Sequence, residues 1–243
     1  ANNITTRTLP PLSNQRPFCI GNKVYLNQAY TARESNGKLT ETGQKQSFIS
    51  LSIDINSGIC QSSLLTYPTD LINKNVLIMP IYRVLGFNNS FVYHFGFLKE
   101  FFVTHDFQKF ERFPISTNYD LRFFDDVKSS LDKGLNDMLM HDEMINMYYD
   151  EFKQCYYIFI RKRETNYIKN ASISTKFVYP NCIILILDKK LRHLGEVTFP
   201  ENTYSFQMAF ITKEGLYISE DNVNNETFNE DFMRFRLFSL EKI

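Results

Sequence analysis

The stretch Phe210–Ser219, FITKEGLYIS, constrains this chain more than any other. It reads as a strand, a tight turn over Lys213-Glu214-Gly215, and a second strand in which Leu216 and Ile218 alternate with Tyr217 and Ser219. Period-two alternation sends the two sets to opposite faces of a sheet, and a short Gly-containing turn closes a hairpin. Looser versions recur upstream: FCIGNKVYLN from Phe18, VLGFNNSFVYHF from Val84 and MYYDEFKQCYYIFI from Met147. A hairpin repeated in this way is the inner half of a β-propeller blade.

The repeat sets the phase of the rest. A first set of strands A to D covers Phe18–Ile20, Lys23–Gln28, Ser47–Asp54 and Ile59–Tyr67, with turns at Gly21-Asn22 and Asn56-Ser57-Gly58. A second begins near Arg83 and runs RVLGF, FVYHF, KEFFVTH and KFERFPI. The third is Glu143–Tyr149, Gln154–Lys162, Cys182–Leu187 and Leu194–Phe199. The fourth has only Tyr204–Thr212, Leu216–Ser219 and Phe232–Leu240; Ile4–Leu9 is placed either to supply its missing strand or to end a blade whose other strands precede residue 1. Between the second and third sets, Val127, Leu131, Leu135, Met138 and Leu139 recur at helical spacing behind Asp125 and Asp126, which predicts a short helical insertion over 125–140. That segment is expected either to cover the loop face as a lid or to dock a partner helix. The expected class is therefore all-β: a single propeller domain over 1–243, built of four-stranded antiparallel blades, about four of them in this chain.

The A strands begin near residues 17, 83, 143 and 205, spacings of 66, 60 and 62. Propeller repeats run about 40–50 residues, so the surplus has to go somewhere. Within a blade the A–B and C–D turns lie at one end, and the B–C and D–A connections at the other. The A–B and C–D turns are tight throughout. The insertions 29–46, 68–82, 116–142, 163–180 and 220–230 are all B–C or D–A connections. The extra chain therefore falls on one face, where it either binds or merely shields strand edges and the channel mouth.

Composition narrows the function classes. Hydrophobic residues make up 43% of 243 residues, with 23 Phe, 14 Tyr and no Trp, enough for a large core with a strand bias. Formal net charge is zero, which removes the basic footprint of a general nucleic-acid binder. No apolar run is long enough to span a membrane as a helix. Cys19, Cys60, Cys155 and Cys182 stand at wide spacings inside or beside strands and read as buried free thiols.

The C-terminal run MAFITKEGLYISEDNVNNETFNEDFMRFRLFSLE, the segment INMYYDEFKQCYYIFI and the opening NQRPFCIGNKVYLN resemble a family of secreted or lipoprotein β-propellers of unknown function from Bacteroidetes. The resemblance runs from about Pro10 onward and rests on packing motifs. It implies a six-bladed, TolB-like ring longer than this chain, of which these residues would be the C-terminal two thirds. It also implies an extracytoplasmic setting, in the periplasm or at the cell surface, with a lipid anchor upstream. It brings no functional residues with it.

Candidate site residues come from the inner strands, where propellers bind ligands along the channel: Arg16, Arg83, Glu143, Asn146 and Gln207. Glu143 is the one acid among them, whereas glycosidase chemistry needs two carboxylates, and it is expected to be a strand-end charge, in solvent or paired with an Arg. His141-Asp142-Glu143 has the composition of a metal or acid–base cluster, but strand neighbours point to opposite faces, so a solvated turn is the expected role. Arg161-Lys162-Arg163 is expected to be either a solvated strand end or an anion or acidic-glycan contact. No HExxH, GxSxG, P-loop or GxGxxG sequence occurs, and no catalytic residue, metal or cofactor is expected. The leading reading is a binding or scaffolding module whose long-loop face meets a protein, peptide or glycan. The alternative is a hydrolase or lactonase-like enzyme with its site in the channel.

Overall fold

The computed structural model describes residues 17–27, 48–66, 81–95, 98–115, 119, 141–163 and 181–240. These form four small antiparallel sheets arranged as the blades of a β-propeller, with almost no helix. Blade 1 contains β1 (Phe18–Ile20), β2 (Lys23–Asn27), β3 (Ser50–Asp54) and β4 (Cys60–Ser62). Blade 2 contains β5 (Ile81–Leu85), β6 (Phe91–Phe95), β7 (Glu100–Thr104) and β8 (Glu111–Pro114). Blade 3 contains β9 (Glu143–Asp150), β10 (Cys155–Arg161), β11 (Cys182–Asp188) and β12 (His193–Phe199). Blade 4 contains β13 (Ser205–Thr212), β14 (Gly215–Ser219) and β15 (Phe235–Phe238). Each sheet is a simple meander in which neighbours in sequence are neighbours in space.

The sequence-derived phase thus holds for all four blades, and the fourth has three strands among the described residues. Strand ends moved by up to five residues. The last strand begins at Phe235 rather than Phe232, and the fourth strand of blade 1 is cut to Cys60–Ser62, with an isolated Phe48–Thr66 bridge beyond it. Ile4–Leu9 and the helical segment 125–140 lie outside the described residues.

The packing follows from alternation. On β10, Tyr156, Ile158 and Ile160 join Ile183, Leu185 and Leu187 of β11 in a core shared with Val92, Phe101 and Val103 of blade 2. The intervening Tyr157 and Phe159, with Ile184 and Ile186, join a second core with Phe206, Leu216 and Ile218 of blade 4. CYYIFI and CIILIL carry no polar alternation because both faces of blade 3 are covered. A third core joins Phe18, Ile20 and Tyr25 of blade 1 to Phe91, Tyr93, Phe95 and Phe102 of blade 2. Among the described residues, no core joins blade 4 to blade 1.

The two outer faces differ accordingly. On blade 1, Cys19, Val24, Ile53 and Cys60 form one cross-sheet row on the side away from blade 2. Cys19 and Cys60 are exposed there, which corrects the expectation that all four thiols are buried; that expectation rested on cysteine packing as a small hydrophobe, and this row faces away from blade 2. On blade 4, Phe210, Met208 and Leu237 are 39%, 38% and 42% exposed on the side away from blade 3. The opening hairpin is therefore split. Leu216 and Ile218 are buried, while Phe210 stacks on Tyr217 at 5.0 Å on the outer face. Gly215 sits at φ 149°, and a Cβ there would lie 2.4 Å from the Phe238 carbonyl, so this turn position requires glycine.

Blade 2 contains a buried histidine. His94 is fully buried against Phe101 and donates from Nε2 to the Leu98 carbonyl at 2.7 Å. Burial pulls its pKa from 6.5 down to about 4. The unfolded chain then binds this proton at a higher pH than the folded one does. The contribution is intact above pH 6.5 and lost as pH falls towards 4, by about 3 kcal/mol at most. Replacing His94 with Gln should flatten the fall in denaturation midpoint across that window; equal slopes in the two proteins would rule this out.

Candidate functional site

In each meander, alternate connections leave from opposite ends. β1–β2, β3–β4, β5–β6, β7–β8, β9–β10, β11–β12 and β13–β14 are joined by short turns. The long connections join β2–β3, β4–β5, β8–β9, β10–β11 and β14–β15, all at the other end. Of these, 220–234 is described throughout. Asparagines pin it down: Asn222 Nδ2 donates to Tyr204 O at 3.2 Å and Asn225 Nδ2 to Thr203 O at 3.1 Å. Asp221 accepts from the Arg234 backbone at 3.1 Å. Between these anchors Val223, Phe232 and Met233 are 65%, 67% and 68% exposed. The connection, whose Phe232 and Met233 the sequence places in the following strand, thus presents apolar side chains from a backbone pinned by these bonds.

At the same end, the two charged runs singled out in the sequence meet each other. Antiparallel pairing sets Arg161 opposite Glu143, and the guanidinium Nη2 donates to Glu143 Oε2 at 3.0 Å. Lys162 Nζ reaches Asp142 Oδ2 at 2.8 Å, and the Arg163 backbone donates to Asp142 Oδ1 at 2.9 Å. Asp142 is 2% and Glu143 7% exposed, so the solvated turn expected for the run is not what forms, while the pairing with an Arg expected as one role of Glu143 is. Each carboxylate meets its own cation, a consequence of a β9–β10 register that neither run reveals alone. The Lys162 ammonium also lies 4.8 Å from the centre of the Tyr119 ring. Burial, reinforced by the Glu196 carboxylate to which it donates, pushes the Tyr119 hydroxyl pKa up and keeps it a donor.

The inner-strand residues divide by environment. Arg83 is 2% exposed; its Nη1 donates to Ser50 Oγ and its Nη2 to Tyr25 O, both at 3.2 Å, and its guanidinium lies over Phe18 and Phe91. It thereby ties blade 2 to blade 1. Asn146 is fully buried, donating to Tyr148 Oη at 2.6 Å and to the Phe206 carbonyl of blade 4 at 3.4 Å. Glu143 is paired as above. Gln207 follows Phe206 at the β13 bulge and is exposed. The structure therefore brings Asn146 beside the backbone next to Gln207, and places Arg83 in a different blade junction. Arg16 lies outside the described residues.

Thiol chemistry has little to work with in the buried pair. Burial pushes Cys155 up to about 11 and raises Cys182 further, so both stay protonated. Among the described residues, no group of three or more His, Cys, Asp or Glu is placed to hold a metal ion. Also among them, no helix is long and apolar enough to cross a membrane.

No protein-family model and no curated protein matches the sequence. Among solved structures, a member of the DUF4221 family from Bacteroides vulgatus is similar, with a TM-score of 0.73 and 18% sequence identity. The likeness covers 92% of this chain and 63% of that one, so the chain spans less than two thirds of the structure it matches. At this identity the likeness is one of fold, and it is to a protein of an uncharacterised family.

Proposed function

We propose that this chain is a propeller binding or scaffolding module that meets a peptide, glycan or protein partner through the end carrying its long connections. The observation that carries the reading is the one-sidedness of those connections, with Val223, Phe232 and Met233 exposed on the one described throughout. Exposed apolar side chains on a rigid support are the usual substance of a protein contact, which favours a protein or peptide partner. Of the inner-strand residues, Gln207, exposed beside the Asn146–Phe206 bond, is the one best placed to touch a ligand, whereas Glu143 is paired with Arg161 and Arg83 is buried at the junction of blades 1 and 2.

The larger setting is part of the same proposal: one propeller domain within a six-bladed ring, extracytoplasmic, with a lipid anchor upstream. The ring is supported by the apolar outer faces of blades 1 and 4 and by the greater length of the matched structure. The extracytoplasmic setting is supported by the resemblance of the C-terminal run and inner hairpins to secreted propellers.

Crosslinking of the tagged protein in intact cells provides the test. Val223→Asp, Phe232→Asp and Met233→Asp combined should cut recovery of the crosslinked partner at least tenfold. Ile55→Asp, at an exposed residue of the opposite end, should leave recovery unchanged. Equal recovery from both variants, or loss only with Ile55→Asp, would remove the loop-face reading.

A further inference from the structure

Blade 1 carries an arrangement that the loop-face reading does not use. Strand alternation gives it one apolar face, already described, and one polar face. Lys23, Tyr25 and Asn27 of β2 share the polar face with Ser50, Ser52 and Asp54 of β3, their cross-strand partners. Gln61 of β4 continues the Tyr25–Ser52 row. This face points towards blade 2, where Tyr25 enters the shared core. Beyond Tyr25 the serines and glutamine do not close against the neighbour. They leave a groove of about 170 Å³, walled on its far side by Phe107 and Gln108 of the β7–β8 turn.

The groove is built, not incidental. Leu64 donates its backbone N–H to the Phe107 carbonyl at 3.2 Å, tying blade 1 to the turn. Phe107 holds a left-handed backbone, φ 58°, which a bulky side chain adopts only when its surroundings impose it. Its ring stacks on Tyr25 at 5.1 Å and 11°. Asn27 follows Tyr25 on the same strand face and pairs with Ser50, which lines the groove, without lining it itself. Asn27 is 4% exposed, and neither its Nδ2 nor its Oδ1 has a partner within the protein.

We infer that this groove binds a neutral sugar residue, as a free saccharide or as part of a glycan. The lining consists of hydroxyls and primary amides with one cation, Lys23, and one anion, Asp106. That balance suits neither a phosphate nor an apolar ligand. A primary amide offers a donor and an acceptor from one group, which matches adjacent sugar hydroxyls. The Tyr25 and Phe107 rings supply apolar surface for a sugar's C–H groups. The volume is below the roughly 300–1,000 Å³ of drug-sized pockets and suits a single pyranose ring. Of the lining residues, Ser63 and Leu64 lie at the start of the long β4–β5 connection, and none lies on the 220–234 loop, so this site and the contact made by that loop stand or fall separately.

Saturation-transfer NMR on the whole chain tests the assignment. The probes are glucose, galactose, mannose, xylose and N-acetylglucosamine with their β-linked dimers, and inorganic phosphate and a sulfated disaccharide as anionic controls. At least one neutral sugar should receive saturation. Gln61→Ala with Gln108→Ala, both at exposed positions, should weaken that binding at least tenfold without lowering Tm. The loop-face triple variant should retain it. Transfer to no neutral sugar, transfer only to the anionic probes, or a signal that survives the Gln61/Gln108 pair would overturn the inference.

Discussion

Replacing Phe159 with Ala is expected to lower the unfolding free energy by about 3–5 kcal/mol. Phe159 has no exposed surface and lies at the centre of the core between blades 3 and 4. Its ring meets Tyr148 at 5.5 Å and Phe206 at 6.1 Å, both edge to face, so truncation removes ring contacts in its own blade and the next. Backbone pairing with Asn146 on one side and Ile184 on the other limits how far the sheet can collapse into the space left. The loss is a large share of the roughly 5–15 kcal/mol that holds a typical domain together. Val197 in the same blade, 46% exposed, gives the control: its change to Ala should stay within about 0.5 kcal/mol. Urea denaturation of both variants decides the matter, and a Phe159→Ala loss under 1 kcal/mol would mean that the two blades do not depend on this core.

The second large effect belongs to the Glu143–Arg161 pair. Their side chains are 9% and 12% exposed, and the contact is 3.0 Å. Arg161→Met removes the cation and leaves a carboxylate with little access to water, which should cost about 3–5 kcal/mol at neutral pH. Adding Glu143→Gln removes the stranded charge, so the double variant should recover much of that loss. A double-mutant cycle measured by chemical denaturation reads the coupling directly. Additive single effects would show that each charge is served mainly by groups other than its partner.

That pair also shows where sequence reasoning reached and where it stopped. The hairpins fixed blade phase because period-two alternation and turn glycines act over a few residues, and FITKEGLYIS, FCIGNKVYLN and the others carry both. The pairing of Asp142 and Glu143 with Arg161 and Lys162 depends on strand register, and read separately each run looks like a solvated end. Arg83 was recognisable as an inner-strand residue, but its place over Phe18 and Phe91 needs the neighbouring blade. The exposure of Cys19 and Cys60 depends on which blade lacks a covered side, and the thiols carry no sign of it. The groove of blade 1 uses serine and glutamine, which belong to no motif. Its one legible signal is Lys23, Tyr25 and Asn27 alternating with Val24 and Leu26, a strand whose more polar face is the one turned inward.

Three shared cores among four blades also change how stability is distributed. In a closed ring every blade has two neighbours, and damage at one junction is bridged by the path around the other side. The described junctions form one arc, from blade 1 through blades 2 and 3 to blade 4, and within that arc cooperativity passes from blade to blade in series. Blade 3 is a relay in that arc, and a lesion there divides the array, whereas one in blade 1 or blade 4 only shortens it. The centre of the sequence space open to this fold is therefore narrow at CYYIFI and CIILIL, and broad at the two ends.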